Sequence, residues 1–69
     1  MFWFAAVDRN NNVRSEHYRE WYVSVCEKNQ TGPMEVVFRD KSKKKCVEYA
    51  KQIAENVHVG NGVEYGAKW

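Results

Sequence analysis

The sequence predicts a small α+β domain: an antiparallel sheet of three to five strands with one amphipathic helix, about residues 42–57, packed on one face. Three observations carry that expectation. The chain has no leucine and one isoleucine, against ten valines and ten aromatic residues, and β-branched and aromatic side chains suit a pleated, half-buried surface. Residues 21–27 alternate, with Trp21, Val23 and Val25 on one face and Tyr22, Ser24 and Cys26 on the other. From Ser42 the period changes. Cys46, Ala50, Ile53 and Val57 follow at spacings of four, three and four, which is one face of a helix, flanked by Tyr49 and Ala54.

The other elements follow in order. Residues 2–7 are apolar on both faces and read as a strand paired near the sheet centre. Asp8-Arg9-Asn10-Asn11-Asn12 reads as a turn or exposed loop, because asparagine tolerates left-handed backbone angles. Residues 13–20 show no clear period, with at most a short strand near Val13. Asn29-Gln30-Thr31-Gly32-Pro33 is a strong turn signal, after which Met34, Val36 and Phe38 resume the alternation, so this pair reads as an antiparallel hairpin. Asp40 or Ser42 can cap the helix. Val57-His58-Val59 returns to strand chemistry, Gly60-Asn61-Gly62 is a tight turn, and Val63-Glu64-Tyr65 can pair back as a last strand. Sixty-nine residues make one domain, too short for a deep cleft.

Charge is concentrated at one place. Residues 39–45 hold five cations and one carboxylate, a balance of +4, while six cations and eight carboxylates elsewhere sum to −2. This cluster stands at the mouth of the helix, where unpaired backbone N–H groups and the positive dipole end disfavour lysine by a few tenths to about 1 kcal/mol each. A bound phosphate or carboxylate would turn that conflict into an attraction. The other reading is a solvated face in which Lys44 or Lys45 reaches Glu48, and Lys51 reaches Glu48 or Glu55. The candidate site is therefore Arg39, Lys41, Ser42, Lys43, Lys44 and Lys45.

Aromatic residues offer a second kind of contact. Trp3, Trp21 and Tyr22 could stack unpaired bases, although a chain so poor in aliphatic residues needs most of its rings in the core. Tyr22 is the ring expected to be exposed, since Ser24 and Cys26 share its face. Trp69 reads either as a latch packed onto the domain or as a partner anchor. Both join the candidate site.

Several classes are not expected. Cys26, Cys46, His17 and His58 contain no close pair with metal-ligand spacing, and Cys46 lies on the apolar stripe of the helix. No nucleophile, base and oxyanion arrangement is legible, so neither an enzyme nor a cofactor is expected. The opening seven apolar residues are too few for a membrane span and lack a basic leader. Two cysteines without a secretion signal read as reduced thiols of a cytosolic protein.

The run Phe38-Arg39-Asp40-Lys41-Ser42-Lys43-Lys44-Lys45-Cys46-Val47-Glu48-Tyr49-Ala50-Lys51 resembles a recurrent junction in small β-β-α modules. There, a strand ending in an aromatic leads through a polar linker into a helix of the form Ala-x-x-Tyr-Ala or Ala-x-x-Trp. Residues 20–60 resemble a group of short bacterial proteins with a Trp-x-Val strand, a hairpin, this helix and a final strand. Trp21-Tyr22-Val23 and Val57-His58-Val59 fit that outline, and Cys46 stands where alanine is usual. More distantly, the region is similar to the arm-type DNA-binding domain of phage integrases, whose three-stranded sheet enters the major groove. That likeness implies DNA contacts on the face carrying Tyr22, Ser24, Glu35 and Val37.

In size and composition the chain looks like a phage or mobile-element accessory protein. The likeness implies a non-enzymatic inhibitor or adaptor that binds a host or defence-system protein. The alternative expectation is a nucleic-acid binder that uses the basic helix start on phosphates. Self-association as a homodimer is compatible with either.

Overall fold

A computed structural model describes residues 1–60; the expected turn at Gly60-Asn61-Gly62, the last strand at Val63-Glu64-Tyr65 and Trp69 lie wholly or mainly outside the described residues. The N-terminal apolar run becomes β1 (Phe2–Arg9), an inner strand with a neighbour on each side. Pairing on both edges and burial of Ala5, Ala6, Val7 and Asp8 explain why this segment lacks the polar alternation of a half-exposed strand. It is followed by β2 (Trp21–Cys26), β3 (Glu35–Asp40), α1 (Lys43–Ile53) and β4 (Ala54–Val59). The sheet order is β3-β2-β1-β4.

The class is the α+β arrangement expected, with the helix on one face of the sheet. The sheet itself is mixed. β1 pairs antiparallel with β2, and β2 antiparallel with β3, but β4 lies parallel to β1. Since β3 also runs parallel to β1, α1 is a crossover that carries the chain past β2 and β1 to the far edge. The helix is also shorter than its periodicity implied. It ends at Ile53, and Ala54 adopts an extended conformation while its N–H still donates to the Ala50 carbonyl. Val57, which fits the helical stripe by spacing, instead packs against the core from β4.

The core is built from small side chains. Ala5, Val7, Val23 and Val25 from the sheet meet Cys46, Ala50 and Ala54, with Trp21, Phe38, Tyr49 and Ile53 around them. Tyr49 stacks on Phe38 at 4.4 Å between ring centroids, fixing the helix over β3. β3 contains one extra residue, Val37, at the step between Val23 and Ser24 of β2. This bulge lets Val37 and Phe38 both pack towards the core and interrupts an edge strand that would otherwise present a regular row of backbone groups.

The long connection from β1 to β2 has no strand near Val13. It is a series of turns held by its own polar side chains: Asn10 Oδ1 accepts from the Asn12 N–H at 2.9 Å, Asn12 Oδ1 from Arg14 N–H at 3.0 Å, and Ser15 Oγ from His17 N–H at 3.1 Å. Paired backbone bonds between Asn10 and Glu20 and between Arg19 and Asn10, both 2.8 Å, close its base. The hairpin between β2 and β3 turns where predicted, with Asn29 and Gly32 at positive φ of 68° and 96°.

Candidate functional site

The start of α1 is fixed by two side chains from the β3–α1 junction. Ser42 is the N-cap, its Oγ accepting from the Lys45 N–H at 3.3 Å. Asp40 braces the cap, its Oδ1 accepting from the Ser42 N–H at 2.8 Å. The two residues expected to compete for the cap therefore act in series. No acidic residue lies in the first turn to offset the lysines there.

Lys41, Lys43, Lys44 and Lys45 are all exposed around this junction. None of them forms a salt bridge among the described residues, so the pairs of Lys44 or Lys45 with Glu48 do not form, nor do those of Lys51 with Glu48 or Glu55. Lys43 does something else: its Nζ lies over the Trp21 ring, 5.2 Å from the centroid. Trp21 begins β2, is half-buried against the core, and stands directly across from Arg9 on β1 and Asp40 on β3. Sequence inspection offered Trp21 as a stacking ring and Lys43 as a cation, but only the sheet register and the helix placement bring them together.

Arg39 and Tyr22 do not share the surface of the lysines. Alternation puts both on the sheet face away from α1, where Tyr22 stands between Asp8 and Arg39 across three strands. Arg39 is exposed, but Tyr22 is only 6% exposed, contrary to the expectation that it would be the open ring. Ala6, Asp8 and Ser24 on that face are buried as well. The expectation rested on Ser24 and Cys26 as neighbours on that face, but Tyr22 lies on an inner strand between Asp8 and Arg39, and Ser24 is itself buried. The face implied for DNA contacts by the integrase likeness is thus closed at Tyr22 and Ser24.

This face is polar and incompletely satisfied. Asp8 Oδ1 accepts from the Arg9 N–H at 2.8 Å, whereas Asp8 Oδ2 and Ser24 Oγ are buried with no hydrogen-bond partner among the described residues. Burial, and then the negative charge of Asp8, push the Tyr22 phenol above its ordinary pKa, with Arg39 acting in the opposite direction. The Cys46 thiol is also raised, by burial and then by the Asp40 charge, while its hydrogen bond to the Asp40 carbonyl at 4.0 Å opposes the shift. A buried thiol held protonated is a packing group, as its place on the helix stripe implied.

Among the described residues no group of three or more His, Cys, Asp or Glu side chains is close enough to hold a metal ion. No helix among them is long and apolar enough to cross a membrane. His17 sits in the β1–β2 connection, 3.3 Å from Glu20 and 3.5 Å from Glu16, and His58 lies on the edge strand β4. Compared with protein-family models, curated proteins and solved structures, the chain matches none.

The Tyr22 environment gives a pH prediction with a definite sign. A phenol whose folded pKa is raised contributes stability below its unfolded value of about 10, and that contribution is lost as pH rises through the folded pKa. Urea midpoints measured at about pH 8 and about pH 11 should fall further for the wild type than for Tyr22→Phe. Equal falls would show that the phenol does not titrate in a buried, anionic setting.

Proposed function

We propose that this chain is a small non-enzymatic binding protein that holds nucleic-acid phosphates through the cationic surface at the start of α1. One observation carries the reading: Lys41, Lys44 and Lys45 are exposed beside one another with no acidic side chain of the described residues paired to them. Lysines in the first turn oppose the helix dipole, so they are retained here against a local cost of up to about 1 kcal/mol each. Phosphates reverse the sign of that term. They bring negative charge to ammonium groups and dipole together, and the net negative remainder of the chain orients approach through this end. Arg39, on the edge strand and pointing to the other sheet face, extends the positive potential around the rim.

Binding of this type depends on counterion release. Affinity for a labelled oligonucleotide should fall with salt at a log–log slope of about −0.7 to −0.9 for each phosphate neutralised. The triple change Lys43→Glu, Lys44→Glu and Lys45→Glu should abolish binding. Glutamate is favoured in a helix first turn, so the loss could not be assigned to a broken helix. Binding that persists in the triple variant, or that ignores salt, would refute the assignment.

A second reading, an inhibitor or adaptor bound to a host or defence-system protein, is supported by a different feature. β4 is an edge strand of the described sheet, and its Val59 is 40% exposed, so its outer edge could accept a strand from a partner. This reading expects a stoichiometric protein complex that survives nuclease and is insensitive to the triple lysine change. Recovery of nucleic acid alone would exclude it.

A further inference from the structure

The cationic surface has a neighbour that a simple phosphate clamp would not need. Trp21 is held on one side by the core, which fixes its ring, and Lys43 rests over its face at 5.2 Å. The carboxylate nearest in register, Asp40, is engaged with the Ser42 N–H, so it does not draw the Lys43 ammonium away. Arg9 stands opposite Trp21 in register on β1. A rigid, half-buried indole bordered by cations is the pairing that single-stranded nucleic acid recognises: the ring accepts a base, and the cations track the backbone. A duplex offers no free base face to such a ring.

Resting on the phosphate-binding reading, we propose that the ligand is single-stranded nucleic acid, with Trp21 stacking an unpaired base and Lys43 moving its ammonium from the indole to the adjoining phosphate. Lys43 then acts as a placeholder. Over the ring it satisfies its charge by cation–π attraction, and the incoming strand replaces that contact with a base on the ring and a phosphate on the ammonium. The short reach of the cluster fits this mode. Four lysines within residues 41–45 cover few phosphates, so stacking would supply affinity that a broader basic surface obtains from charge alone.

The test compares a short oligothymidylate, about ten nucleotides long, with a duplex of equal length at matched salt. The expected result is single-strand binding at least about tenfold tighter than duplex binding, with an upfield shift of the Trp21 indole proton as a base stacks on it. Trp21→Ala should weaken single-strand binding by about fivefold or more, the lower end of one base-stacking contact. Because Trp21 also packs on the core, the indole signal of the wild-type protein gives a readout independent of that variant's folding. Equal affinity for both ligands with an unmoved indole, and loss of binding only in the triple glutamate variant, would overturn the stacking inference and leave the phosphate reading standing. Binding of neither ligand would overturn both.

Discussion

The close approach of α1 to the sheet through small side chains is the constraint on which the rest of the structure depends. Cys46 and Ala50 of α1, with Ala54 directly after it at the start of β4, present little volume, and they meet Ala5, Val7, Val23 and Val25 in a seam with almost no solvent exposure. A larger group at Ala50 would force helix and sheet apart at a cost of about 1–3 kcal/mol. In a chain of this length, few other interactions could offset such a loss. The same seam has a topological role. By docking over β1 and β2, the helix brings the chain to the far edge, where β4 adds in parallel to β1. Remove the seam, and β4 has no reason to be on that edge.

The helix start shows a local conflict that no acidic residue of the first turn relieves. Capping by Ser42 and bracing by Asp40 satisfy backbone donors at the junction, while lysines occupy the first turn against the dipole. Lys43 has an indole to rest on; Lys41, Lys44 and Lys45 have only solvent among the described residues. The helix position, fixed by the apolar seam, thus determines where this unmatched charge is displayed. The opposite sheet face has a different character: Asp8, Tyr22 and Ser24 are buried polar groups, and Asp8 Oδ2 and Ser24 Oγ lack partners among the described residues. A buried polar oxygen left without a partner costs about 1–3 kcal/mol.

Much of the fold was legible because several signals were local. The alternation of residues 21–27, the turn residues Asn29 and Gly32, and the two-sided apolar run of β1 each follow from one strand or one turn. The parallel placement of β4 was not legible, since strand order is decided by where a crossover lands. The helix end was hidden for a more specific reason. Val57 satisfies helical spacing and also faces the core from a strand, and no glycine or proline lies between Ile53 and Val57. In the candidate site, the lysine cluster could be counted from the sequence. Its separation from Tyr22 required the sheet register, and its union with Trp21 required the placement of the helix over the sheet.

Native-state hydrogen exchange, resolved by residue, tests the link between helix docking and the parallel strand most directly. If the seam carries β4 into the sheet, amides of β4 that bond to β1 should be protected together with those of α1. Amides of β1 and β2 should exchange only through global unfolding. Unprotected β4 amides beside a protected α1, or helical protection continuing unbroken through Val57, would contradict this organisation of the fold.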